Sequence, residues 1–228
     1  VSGARPALVL TDIEGTTSAI AFVKDTLFPF AEAALDGFLD AQGHRPEVAA
    51  LLAEVPGPDP RATLRRWMAE DAKATPLKAL QGMIWRAGFE DGRLRGHLWP
   101  DVAPLLRAWH AAGIGLAVYS SGSEEAQRLL FGHSAAGDLS PLFRGFFDTR
   151  VGAKRDAASY ARIAAALGAE PGAVLFLSDV AEELDAARAA GLGTCQLVRP
   201  ADGTRPAGRH PEAPDFPAVA RLFGLPAA

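Results

Sequence analysis

The chain has 228 residues, a formal net charge of −4, 49% hydrophobic residues and one cysteine. That length suits one large domain or a core with an insert, and the apolar content can bury a sizeable core. Cys195 alone excludes an internal disulfide framework and a cysteine-rich zinc site, and an acidic balance without a basic run argues against nucleic acid or an anionic membrane as partner.

No segment reaches the roughly 18 uninterrupted apolar residues of a transmembrane helix. The first residues, Val1 to Pro6, lack the apolar stretch of a signal peptide, and a reducing, cytoplasmic setting is the expectation.

In chain order, Ala7-Leu8-Val9-Leu10 is a short apolar run ending in Thr11-Asp12. Continuous apolar runs of this length predict strands buried on both faces, as in a parallel sheet. Residues 20–98 then carry helical patterns over Phe22–Ala41, Pro46–Glu54, Arg61–Lys73 and Pro76–Glu90. Pro56-Gly57-Pro58-Asp59-Pro60 interrupts them, and Thr75-Pro76 reads as an N-cap followed by proline at the first helical position. Val102–Ala112 places Val102, Leu105, Leu106 and Trp109 on one helix face.

Further strand-like runs follow: Gly115–Tyr119 into Ser120-Ser121, Gly145–Phe147 into Asp148-Thr149, Val174–Leu177 into Ser178-Asp179, and Thr194–Val198 into Arg199-Pro200. Helices over Ala157–Leu167 and Val180–Ala190 fall between them, with Gly168 and Gly191 as stops. Arg199–Pro217, rich in Pro, Gly and Arg, predicts an exposed loop before a short last helix. The alternation predicts an α/β fold: a doubly wound, Rossmann-like parallel sheet core over residues 1–20 and 99–228, with a helical cap inserted over 21–98. Ligands in such sheets bind beyond the carboxyl ends of the strands, where Asp12, Ser120, Ser121 and Asp179 fall.

Asp12 and Glu14 put two carboxylates two residues apart as the chain leaves the first strand. One can attack as a nucleophile while the other moves protons. Gly15 permits a tight turn, and the following amides and hydroxyls suit an anion; the plainer reading is a polar strand end and a turn. Ser120-Ser121-Gly122-Ser123-Glu124 offers hydroxyls and amides to a phosphate, or Ser121 caps the next helix with Glu124 completing a capping box. Lys154, in a loop before a helix, can neutralise a phosphate and a carboxylate together, or is a solvated surface group. Asp179 and, four residues on, Glu183 can hold a hard cation such as Mg²⁺ through oxygen, or Asp179 is only the N-cap of its helix. The five histidines show no metal-ligand spacing, and Cys195 reads as a buried small hydrophobe.

The order of these residues resembles the haloacid dehalogenase superfamily of phosphohydrolases. Glu14 stands where those phosphatases usually carry Asp, and that departure narrows the match. Asp12-Ile13-Glu14-Gly15-Thr16-Thr17, Phe22-Val23-Lys24-Asp25, Leu27-Phe28-Pro29-Phe30, Leu77-Lys78-Ala79-Leu80-Gln81-Gly82 with Trp85, Val118-Tyr119-Ser120-Ser121-Gly122-Ser123, Leu130-Phe131-Gly132-His133-Ser134, Phe147-Asp148-Thr149, Ser159-Tyr160 and Phe176-Leu177-Ser178-Asp179-Val180 together resemble the enolase-phosphatase (acireductone synthase) family of methionine salvage. The resemblance covers nearly the whole chain.

It implies a small phosphorylated diketone as substrate: enolisation of 2,3-diketo-5-methylthiopentyl-1-phosphate, then Mg²⁺-dependent dephosphorylation to 1,2-dihydroxy-3-keto-5-methylthiopentene. By the same resemblance Asp12 is the nucleophile and a metal ligand, Glu14 belongs to the metal site and shuttles protons, Asp179 completes the metal site, and Ser120, Ser121 and Lys154 hold the phosphate. It also implies a monomer. The competing expectation is a phosphatase of the same superfamily acting on another small phosphomonoester without enolisation.

Overall fold

Residues 5–228 are described by a computed structural model. β1 (Leu8–Thr11) is followed by a helical turn, α1 (Ile20–Phe22), then α2 (Phe28–Gln42), α3 (Pro46–Ala53), α4 (Pro60–Ala69) and α5 (Thr75–Glu90). After these come α6 (Val102–Ala111), β2 (Gly115–Tyr119), α7 (Glu124–Gly132), β3 (Gly145–Phe147), α8 (Ala157–Ala166), β4 (Val174–Ser178), α9 (Ala181–Ala189), β5 (Gly193–Leu197), β6 (Glu212–Ala213) and α10 (Phe216–Phe223). No helix among the described residues is long and apolar enough to cross a membrane.

The chain divides into two compact units. One joins the N-terminal residues up to Ile20 with Gly96–Ala228; the other is Ala21–Arg95. In the first, the described strands form one parallel sheet in the order β3-β2-β1-β4-β5-β6. β1 is paired on both sides, Thr11 with Val118 of β2 and with Leu177 of β4. The connections therefore leave β1 in opposite directions, and a crevice opens at its carboxyl end. The register brings Asp12, Ser120 and Asp179 out of three neighbouring strands at nearly one level.

The predicted apolar runs explain the sheet. Leu8 and Leu10, Ala117 and Tyr119, Val174 and Phe176 turn alternate side chains to one face, where Tyr160, Ile163, Leu184 and Ala187 of α8 and α9 close over them. Val9, Leu116, Val118 and Leu175 on the other face are equally buried. Each fully buried aliphatic side chain stabilises by roughly 1.5–3 kcal/mol, so both faces need a helical cover.

In the helical unit, Leu35 and Leu39, Leu64, and Leu77, Leu80 and Ile84 form one core at helical spacing. Proline stands in the first turn of α3, α4 and α5, and Asp59 caps α4 by accepting from the Arg61 and Ala62 amides. The helix expected over Phe22–Ala41 is divided: α1 passes through a π turn, Val23–Leu27, into α2. Pro29 has no N–H to return to Asp25 and its ring crowds that carbonyl, so the ladder widens there. Trp85 fills this unit's core edge and donates to the Leu27 carbonyl at 2.8 Å, while Lys78 is exposed.

The tail has the expected exposed stretch and a short last helix, α10, but it turns inward at points that composition did not mark. Arg199 is only 5% exposed and His210 8%, and Glu212–Ala213 adds a sixth strand beside β5. His210 lies between the Thr194 hydroxyl (2.9 Å) and Asp185 (3.1 Å). Composition pointed to solvent because these partners lie 16 and 25 residues away in sequence.

Candidate active site

Asp12 leaves β1 while still in the ladder, its amide donating to the Leu177 carbonyl at 2.9 Å. Its side chain is buried. Oδ1 accepts from the Ile13 amide at 2.7 Å and lies 2.8 Å from Lys154 Nζ. Lys154 Nζ is also 2.7 Å from Glu183 Oε2, which accepts from the Ser178 hydroxyl at 3.1 Å. The Ser178 hydroxyl stands 3.5 Å from Asp12 Oδ2.

The next residues turn tightly. The amides of Thr16, Thr17 and Ser18 all donate to the Ile13 carbonyl, and Gly15 adopts a φ of +72°. A β-carbon at Gly15 would fall 2.4 Å from Asp179 Oδ2. Glycine therefore leaves the cradle in which the Asp179 carboxylate rests.

Lys154 is aimed by its backbone. Tyr119 Oη donates to the Gly152 carbonyl (2.9 Å), Ser159 Oγ to the Ala153 carbonyl (2.9 Å) and Tyr160 Oη to the Lys154 carbonyl (2.6 Å). Gly152, at a φ of +141°, passes so close to Ser159 that a β-carbon there would meet its hydroxyl. Burial raises both tyrosine pKa values, keeping the phenols protonated donors.

A cavity of about 210 Å³ is lined by Asp12, Glu14, Ile20, Ser120, Ser121, Lys154, Asp179, Val180 and Glu183. All six residues singled out as site candidates in the sequence therefore meet at one place. Ser120 is buried, its amide donating to the Phe147 carbonyl (3.1 Å) and its hydroxyl accepting from the Gly122 amide (3.3 Å). Ser121 is exposed and, contrary to the capping-box reading, does not cap α7. Ser123 does, accepting from the Ala126 amide at 3.2 Å. Glu124 is drawn away instead, its amide to Asp148 and its carboxylate to Arg150. Asp179 caps no helix either; α9 begins two residues later.

Four carboxylates face one ammonium. Burial, then the charge of Asp12, pushes the Asp179 carboxyl up to about 7 and raises that of Glu183. Glu14 is raised for the same two reasons, although this residue keeps solvent access and water relieves part of the push. Burial alone would lower Lys154; the charges of Asp12 and Glu183 outweigh it and hold the ammonium above its ordinary value.

Sequence reasoning gave no role to Tyr119, Ser159, Tyr160 and Ser178, although each stands in a motif of the resemblance; they hold the Lys154 loop and Glu183. Their polar ends sit on elements whose pattern reads as core, and no spacing links them. Glu183 was signalled by its helical spacing from Asp179.

The donor set suits a hard divalent cation. It is all oxygen, carries excess negative charge, and includes a half-buried Asp179 that resists ionising alone. Among the described residues, no three His, Cys, Asp or Glu side chains are grouped to hold a metal by themselves. Mg²⁺ needs no such cage, since one or two carboxylates with water and phosphate suffice. Cys195 is fully buried, and burial pushes its thiol up to about 12, which removes it as a nucleophile.

The haloacid dehalogenase-like hydrolase family matches residues 7–191. The enolase-phosphatase E1 of Granulibacter bethesdensis is 61% identical, covering 97% of this chain and 98% of its own. That of Acidiphilium cryptum is 58% identical over 97% of each chain. Among solved structures, the UTR4 protein of Saccharomyces cerevisiae aligns with a TM-score of 0.79 at 32% identity, covering 92% of this chain and 98% of its own. CbbY of Rhodobacter sphaeroides, at 20% identity and a TM-score of 0.60, shares the fold. A six-stranded parallel sheet with Asp12 at the end of its central strand, and full-length similarity at this level, place the chain in the enolase-phosphatase family of haloacid dehalogenase-like hydrolases.

Proposed function

We propose that this enzyme enolises 2,3-diketo-5-methylthiopentyl-1-phosphate and then removes its phosphate, releasing 1,2-dihydroxy-3-keto-5-methylthiopentene in methionine salvage. The observation that carries the reading is the Asp12–Lys154 pair at 2.8 Å, in one cavity with Ser120, Ser121, Glu14 and Asp179. The names of the full-length relatives support the substrate.

Asp12 Oδ1 is engaged by Lys154 and the Ile13 amide, which leaves Oδ2 the freer oxygen for attack on phosphorus. Attack forms an aspartyl phosphate and breaks the bond to the substrate oxygen, which takes up a proton. Water then cleaves the acyl phosphate and restores Asp12. Lys154 holds one charge against the transferring phosphoryl group, with Ser120 and Ser121 donating to its outer oxygens. Glu14, with a raised pKa and solvent access, moves protons during enolisation and release.

Phosphatases of this family generally depend on magnesium. Asp12 and Asp179 would hold the ion, with Glu14 beside them in the metal site, and the ion when bound would stabilise charge on phosphate and enolate oxygens. The test follows phosphate release and enol absorbance separately, on the diketo phosphate or its desthio analogue, with Mg²⁺ and then with a chelator. Both signals, the phosphate signal lost on chelation, are expected. Release from unrelated esters with neither signal from the diketone would reduce the assignment to a general phosphomonoesterase.

A further inference from the structure

Residues 16–20, which lead away from Asp12 and Glu14, are held from outside by two segments remote in sequence. Arg199 Nε donates to the Thr16 carbonyl (2.9 Å) and the Trp99 amide to the Thr17 carbonyl (3.0 Å). The Ala19 amide donates to His97 Nδ1 (3.1 Å) and the Ile20 amide to Asp202 Oδ1 (3.1 Å). The holding groups thus come from residues 97–99 and 199–202.

These two segments are locked to each other. The Arg199 guanidinium meets the Asp101 carboxylate through two bonds, 3.1 and 2.9 Å, and the side chains are only 6% and 20% exposed. Asp101 Oδ2 also accepts from the Phe216 amide at 2.9 Å. The guanidinium lies over the Trp99 ring at 5.1 Å and the Phe216 ring at 5.9 Å. A bidentate pair with apolar rings above it is directional, and removing one partner leaves a buried charge uncompensated.

Securing the tail does not by itself require the aim of Nε. The fork to Asp101 and the Phe216 amide already tie the tail down, yet Nε turns to a carbonyl four residues from Asp12. Asp12 needs no such help, because the sheet ladder fixes it. Glu14 and Ile20 also line the cavity, one just before and one at the end of the stretch that the two segments hold.

We infer that Arg199, locked by Asp101, is a positioning residue: it sets residues 14–20 against the Asp12 strand so that the cavity is assembled before substrate arrives, an assignment that rests on reading this cavity as the active site of a phosphatase. Misplacement of about 1 Å by a residue remote from the chemistry can cost on the order of 100-fold in rate.

Arg199→Lys keeps a charge opposite Asp101 and loses the Thr16 bond. Measured with Mg²⁺ on the diketo phosphate, at a temperature where circular dichroism reports a folded protein, it is expected to lower kcat by about 100-fold with KM within about threefold. Asp101→Asn is expected to lower kcat in the same way, and the double variant to be no worse than the more impaired single one, because both act through one contact. Should Arg199→Lys fail to fold, Asp101→Asn alone carries the test: it takes the charge from beside Arg199 and keeps an oxygen that can accept from the Phe216 amide.

A folded Arg199→Lys protein with wild-type kcat, or one changed only in Tm, overturns the positioning role. So does a wild-type kcat in a folded Asp101→Asn protein if that variant is the one measured. Wild-type protein that releases no phosphate from any ester overturns the phosphatase reading, and the positioning role with it.

Discussion

Lys154 Nζ lies 2.8 Å from Asp12 and 2.7 Å from Glu183, all with little exposure, so one ammonium compensates two buried carboxylates. Lys154→Met should therefore have two measurable effects. Phosphate release should fall by about 100- to 1000-fold, as when an electrostatic donor to a transition state is removed. The fold should also lose on the order of 3–5 kcal/mol in denaturant titration, since two charges are left buried without a partner. Asp12→Asn separates these effects. It keeps a side chain of the same shape that can still accept from the Ile13 amide, yet it has no nucleophilic carboxylate. Phosphate release should vanish while the protein stays folded, and wild-type turnover would remove Asp12 as nucleophile.

At the scale of elements, the loop from Gly152 to Lys154 shows how a catalytic group is aimed by residues that touch no substrate. Three consecutive carbonyls accept hydroxyls from β2 and α8. Tyr160→Phe removes the last of these bonds, and the expected cost is about 1 kcal/mol of stability with a fall in kcat at unchanged KM. Gly152→Ala should be more severe, because the φ of +141° and the nearby Ser159 hydroxyl both reject a β-carbon. Stopped enzyme assays and thermal melts of both variants test the ranking. The element boundaries were legible where periodicity is strong, as in β1, β2, β4 and α8. The π turn before α2 was not, because Pro29 breaks the ladder inside a pattern that stays apolar on one face.

For the whole molecule, the acidic cavity links stability to pH and to metal. In the unfolded chain Asp179 titrates at 3.8; in the folded chain burial and Asp12 push it up to about 7. The folded state thus binds more protons between those values, so this group favours folding at low pH and that contribution is lost as pH rises through about 7. Glu14 and Glu183, raised for the same reasons, act in the same direction. Metal-free protein should show a Tm that falls from pH 5 to pH 8. Asp179→Asn should flatten that fall, and Mg²⁺ should restore wild-type Tm at pH 8, where ionised carboxylates bind it. Equal slopes in wild type and Asp179→Asn would show that the cavity does not govern this dependence.

The parallel sheet was legible in the sequence, and local pattern pointed to a helical insert and to the candidates Asp12, Glu14, Ser120, Ser121, Lys154 and Asp179. Each sits where a local pattern changes, at the end of a buried apolar run or just before a helix, and local patterns are read from neighbours along the chain. What holds these groups in place is set by partners remote in sequence. Arg199 reaches Thr16 across 183 residues and Asp101 across 98, and Tyr119 reaches Gly152 across 33. Composition near Arg199 reads as exposed loop, and a tyrosine at the end of an apolar strand reads as core. Whether a polar group is solvated or satisfied inside depends on partners that folding alone brings within 3 Å.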